Sequence, residues 1–78
     1  MKIDDKSSGG VKIVSPAGRV DASSSDELKA KIDGLIGEGC RKMVVDFDRV
    51  EYISSWGLRV MLASLKQLRK MGGDLKLA

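Results

Sequence analysis

Met43-Val44-Val45-Asp46-Phe47 and Ser55-Trp56-Gly57-Leu58-Arg59-Val60-Met61-Leu62 bound the stretch whose reading decides the fold. The first is a short apolar run closed off by charge, the pattern of a strand covered on both faces in a central or parallel position. The second opens a helix from about Ser55 to Met71. Leu58, Met61, Leu62, Leu65 and Leu68 fall on one of its faces at helical spacing, while Arg59, Lys66, Gln67 and Lys70 point elsewhere. Residues 48–54 read as the connection between the two. Gly72-Gly73 ends the helix, and Asp74-Leu75-Lys76-Leu77 then alternates as the beginning of another strand.

Working back toward the start, Ser24 and Glu27 fit the S-x-x-E capping box, so a first helix begins there. Leu28, Ile32, Leu35 and Ile36 form its apolar stripe, and Gly37 and Gly39 stop it. Before it, Met1 to Asp5 and Val11-Lys12-Ile13-Val14 flank Lys6-Ser7-Ser8-Gly9-Gly10, which is turn chemistry between the strands of an antiparallel hairpin. Pro16 cannot donate to a ladder, so Ser15 to Gly18 sits at an edge, bulge or turn before Arg19-Val20-Asp21 resumes. The element order is β-β-α-β-α-β, an α/β domain with a mixed sheet and helices packed on one face.

At 78 residues there is room for a single domain, 1–78, with a marginal core. The 42% hydrophobic and 32% charged composition is that of a chain that folds. The net charge of +3 comes from lysines and arginines interspersed with acids, which gives no clear footprint for nucleic acid or anionic lipid. A lone Cys40 cannot close an internal disulfide, and no segment has the length to span a bilayer, so the expected compartment is the cytoplasm, without membrane contact. The sequence contains no histidine, which removes the commonest general base and any ordinary transition-metal site. Asp21, Asp46 and Asp48 lie on different elements and read as solvated loop carboxylates; Cys40 reads as a packing residue. No cofactor, no metal and no enzymatic activity are expected.

Three stretches carry a resemblance. Gly18-Arg19-Val20-Asp21-Ala22 precedes the first helix, Val44-Val45-Asp46-Phe47 with Val50 to Ser55 precedes the second, and Gly57 to Leu62 lies within it. With Gly72 to Leu77, these closely resemble the STAS family of bacterial anti-sigma-factor antagonists, across nearly the whole chain. The serine pair, one further residue and then Gly-Leu is the most specific part. The resemblance implies a STAS-like fold and a cycle. An unphosphorylated antagonist binds an anti-sigma factor that is also a serine kinase, the kinase phosphorylates it, and a metal-dependent serine phosphatase reverses the step. It puts the acceptor on Ser55, with Ser54 as second choice where many relatives carry Asp. Asp21 matches an acidic residue near the acceptor, and the partner surface falls on Asp21, Ser54, Ser55, Trp56, Gly57 and Arg59. The chain departs from the family in having the bulky Trp56 where relatives carry a small residue. It also lacks the usual C-terminal helix, so self-association into a homodimer is one way to cover the final strand.

Ser55, at the first turn of a helix, is locally suited to negative charge, and a phosphate there acts on a partner by repulsion and exclusion rather than by unfolding. On residue type alone Ser55 reads as a helix cap, a role open to Ser54 as well. Trp56 reads either as a core anchor or, since it lies opposite the Leu58 and Leu62 direction, as a partly exposed contact residue. Two other functions compete: a structural, sensory or ligand-binding component of a larger complex, and a nucleic-acid binder using Lys66, Arg69 and Lys70.

Overall fold

Alternation along one long strand sets the orientation of the sheet. In the computed structural model, which describes residues 1–78, β2 (Val11–Val20) buries Val14, Pro16 and Val20 and leaves Val11, Ile13, Ser15 and Ala17 half-buried on the opposite face. It pairs antiparallel with β1 (Lys2–Ser8) through a two-residue turn at Gly9-Gly10. Their φ values of 57° and 81° are those of a type I′ hairpin, which residues with a side chain rarely adopt.

β2 feeds α1 (Ala22–Gly37). The cap lies three residues earlier than the sequence suggests. Asp21 is the N-cap, in extended conformation, and Ser24 is the third helical residue of the capping box. The strand runs through Val20, which leaves Asp21 as the turning residue and places Glu27 inside the helix rather than at its mouth. Leu28, Ile32, Leu35 and Ile36 are buried as their spacing predicts, each contributing roughly 1.5–3 kcal/mol relative to exposure.

The crossover returns as β3 (Lys42–Val45), parallel to β2 and also parallel to β5 (Asp74–Leu77) on its other side. β3 is therefore central and parallel as expected, but it is covered on one face only: Met43 and Val45 are buried, whereas Val44 is half-buried. Both helices lie on the same side of the sheet, so β3 has no second layer.

A seventh element, β4 (Val50–Ile53), corrects the expected order to β-β-α-β-β-α-β. Asp46 accepts a hydrogen bond from the Asp48 N–H at 2.9 Å, and the Val50 N–H donates to the Phe47 carbonyl at 3.0 Å, so residues 46–50 form a tight turn. The chain leaves it still parallel to β2, and β4 takes the last residues of that strand, with Val20 opposite Ile53. Read as a connection, Val50 to Ile53 is the strand that delivers the chain to the second helix.

α2 (Ser55–Lys70) ends where its glycines predict, and Met61, Leu65 and Leu68 turn inward as expected, but the docked face is rotated away from Leu58 and Leu62. Gly57, Val60, Met61, Ser64 and Leu68 are buried; Leu58 and Leu62, expected in the core, are 45% and 54% exposed. Small residues at 57 and 64 let the helix approach the sheet and α1 closely, and that contact turns Leu58 and Leu62 outward. One cluster of twelve buried side chains joins β2, β3, β5 and both helices.

Candidate partner-binding site at the start of the second helix

Both helices begin at the same end of the sheet. The Ser54 N–H donates to the Val20 carbonyl at 2.8 Å, so Asp21 and Ser54, the two N-caps, follow directly from paired strand ends. Underneath them the helix starts touch. Ser25 is buried with its hydroxyl donating to the Asp21 carbonyl, and a Cβ built on Gly57 would stand 3.3 Å from Ser25 Oγ.

Asp21 is held as an anion by its surroundings. The Ser24 N–H donates to its carboxylate at 3.1 Å, and the Ser23 hydroxyl donates at 2.9 Å. These bonds, with that of the Ser24 hydroxyl, lower its pKa from the ordinary value to about 2. Its partners are its own first turn, which makes Asp21 a cap before anything else.

The two adjacent serines are distinct. Ser54 is the N-cap of α2, and its hydroxyl accepts the Gly57 N–H at 3.1 Å. Ser55, the first helical residue, is exposed, and its hydroxyl makes no hydrogen bond within the chain. Capping, a role open to either serine in the sequence, falls to Ser54. Ser55 is left accessible at the positive end of the helix dipole.

Trp56 is 49% exposed beside it, and Arg59 is exposed one helical turn further on, the i+4 neighbour of Ser55. Gly57 is turned inward. Its missing side chain is required because a Cβ there would lie 2.9 Å from both Ile53 Cγ1 and Val20 Cγ1. Of the six residues singled out in the sequence, Ser54, Ser55, Trp56 and Arg59 form one corner of the surface, Asp21 adjoins them across the strand ends, and Gly57 lies beneath.

Sequence reasoning missed three further surface residues. Tyr52, Leu58 and Leu62 are exposed on β4 and α2, so four of the six large exposed hydrophobics of the molecule fall between residues 52 and 62. Arg19 lies over the Tyr52 ring at 4.5 Å from its centroid, a cation–π contact that holds both side chains at the strand ends. A signal for the leucines was present: two overlapping apolar stripes on α2, only one of which contains small residues. No group of three or more His, Cys, Asp or Glu side chains is arranged to hold a metal ion.

The STAS domain family model matches residues 2–78. The chain belongs to the STAS domain family. As a STAS domain it is 38% identical over 77 residues to BtrV of Bordetella bronchiseptica, named as an anti-sigma factor antagonist, covering 99% of this chain and 66% of that protein. Its fold superimposes on the crystal structure of an anti-sigma factor antagonist from Mycobacterium paratuberculosis with a TM-score of 0.87 at 25% identity, covering 97% of this chain and 64% of that one. It also superimposes on one from Thermotoga maritima with a TM-score of 0.88 at 25% identity, covering 96% and 65%. The STAS domain thus spans about two thirds of the length of these relatives. Such domains are regulatory binding modules, and no helix of this one is long and apolar enough to cross a membrane.

Proposed function

We propose that this STAS domain, residues 1–78, is an anti-sigma-factor antagonist of the cytoplasm that sequesters an anti-sigma factor with serine-kinase activity. Phosphorylation of Ser55 releases that partner, and a metal-dependent serine phosphatase restores binding. The domain itself is not an enzyme. The observation that carries this reading is the division of labour between Ser54 and Ser55. The capping hydroxyl is engaged, while its neighbour is free, exposed and flanked by Trp56, Leu58 and Leu62.

An exposed tryptophan and two leucines around a modifiable hydroxyl supply the apolar anchors that protein interfaces concentrate near their centre. A phosphate adds about −1.5 to −2 charges there. At a helix N-terminus, with Arg59 four residues on, that charge is stabilised within the domain, so the fold survives modification. The same charge would have to be stripped of water by any partner seated on Trp56 and Leu58, which disfavours the complex. The switch acts on the interface and leaves the core unchanged.

The test compares wild type with Ser55→Ala and Ser55→Asp in pull-downs from the native cytoplasm, with captured proteins identified by mass spectrometry. Wild type and Ser55→Ala are expected to retain a serine kinase that Ser55→Asp loses, with all three giving the same far-ultraviolet circular dichroism. If Ser54→Asp alone releases it, the acceptor is Ser54. Identical capture by all three proteins would sink the switch and favour a structural or sensory role within a larger complex.

A further inference from the structure

The face of the sheet turned away from the helices carries a second surface. The register of the four strands brings Lys6, Ile13, Val44 and Lys76 into one cross-strand row: Lys6 opposite Ile13, Ile13 opposite Val44, Val44 opposite Lys76. Residues paired in this way share a face. Val11 extends the apolar centre by one pleat, and Lys42, which pairs with Asp74, adds a third cation beside it. Val11, Lys42, Val44, Asp74 and Lys76 line a shallow cavity of about 340 Å³.

The lysines of this face have little to do within the domain. Lys6 and Lys42 make no ion pair, and Lys76 has only a 3.5 Å contact with Asp74. The nearest acid on the same face of β1, Asp4, is already paired with Arg49 at 3.1 Å. The face is therefore an apolar strip, half-buried rather than covered, with Lys6 on its β1 flank, Lys76 beside Asp74 on its β5 flank and Lys42 one pleat along from Val44, so that lysines outnumber acids around it.

We propose that this open sheet face docks an amphipathic helix of a partner protein that carries acidic residues on both sides of an apolar stripe. Three strand spacings of roughly 4.8 Å separate Lys6 from Lys76 by about 14 Å, enough to straddle an α-helix roughly 10–12 Å across with side chains. Its apolar residues would rest on Val11, Ile13 and Val44, and its acids would meet Lys6 on the β1 flank and Lys76 on the β5 flank, with Lys42 at the end of the strip on β3. A second copy of this chain fits less well, because face-to-face packing sets the same lysines against each other. The surface lies on the opposite side of the sheet from α2, so one domain can engage two partners at once and the Ser55 switch does not reach the second.

Two synthetic helical peptides with an identical leucine stripe, one flanked by glutamates and one by lysines, provide the probe in a nitrogen-15 chemical-shift titration of the whole chain. The glutamate peptide is expected to shift the amides of Val11, Ile13, Val44 and Lys76, and the lysine peptide to leave them unmoved. Lys6→Gln with Lys76→Gln should weaken binding by about tenfold, and Ser55→Asp should leave it unchanged. Both lysines are exposed, so the fold is not at risk. Equal affinity for the two peptides would overturn the proposal, as would shifts confined to Trp56, Leu58 and Leu62. So would a response of this face to phosphatidylserine-containing vesicles but not to the acidic peptide.

Discussion

Ser54 and Ser55 are the same side chain one position apart, and only backbone geometry gives them different work. Ser54 takes the extended cap conformation, so its oxygen turns back onto the Gly57 N–H; Ser55 is already helical and points out. Their equivalence in the sequence is why capping could not be assigned there. Gly57 was legible as part of the motif but not in its role, because a close approach of α2 to Val20 and Ile53 is a property of three elements at once. Gly57→Ala should therefore lower stability by about 1–3 kcal/mol in urea unfolding, despite the better helix propensity of alanine. A variant as stable as wild type would mean that helix and sheet can part without cost.

Asp21 gives a test in pH. Its carboxylate titrates at about 2 in the folded chain and near the ordinary 3.8 when unfolded. The contribution of the charged cap is therefore present above pH 3.8 and is lost as pH falls from there toward 2. Asp5, lowered chiefly by its hydrogen bond from Lys31, acts in the same direction. Asparagine caps a helix about as well as aspartate but does not titrate there. Asp21→Asn should unfold at a denaturant midpoint that changes less between pH 4 and pH 2 than that of wild type, measured by circular dichroism. Parallel pH profiles would remove Asp21 from the acid response.

At the scale of elements, periodicity was sufficient where one stripe stood alone and insufficient where two overlapped. Leu28, Ile32, Leu35 and Ile36 were the only apolar set on α1, and all are buried. α2 carries leucines, valine and methionine around more than half its circumference, so the sequence supports two docking faces. The sheet selects the one with glycine and serine, and Leu58 and Leu62 go to solvent. Met61→Ala and Leu62→Ala should consequently differ. The first should cost about 2–5 kcal/mol in denaturant unfolding; the second should stay within about 0.5 kcal/mol and weaken partner capture instead. Comparable losses of stability would return Leu62 to the core. β4 escaped the sequence reading for another reason. Four residues with Glu51 and Tyr52 exposed make a weak strand signal, and only the unoccupied end of β2 gives them a partner.

For the molecule as a whole, the mixed sheet and single helical layer were legible in the order of elements, because long crossovers force parallel pairing and put both helices over one side. The open face opposite was less so: Met43 to Phe47 reads as a strand covered on both faces, yet Val44 on the open side is only half-buried. β2 is the common member, bonded to β1, β3 and β4. Native-state hydrogen exchange should show the amides of Val14, Val20 and Val45 as the slowest and those near Ser8 and Leu77, at the sheet margins, as the fastest. Early exchange of Val20 would mean that β4 opens independently of the rest.

That shared strand also fixes when the chain can become a protein at the ribosome. The β1–β2 hairpin is complete by Val20, but an isolated hairpin is marginal in water, and its remaining partners lie between residues 42 and 53. At roughly 5–20 residues per second, the chain spends a second or more with an unpaired Val-rich edge and no core to bury it. Productive folding begins only once β3 is available to pair with β2, so slow codons within α1 would prolong the aggregation-prone interval.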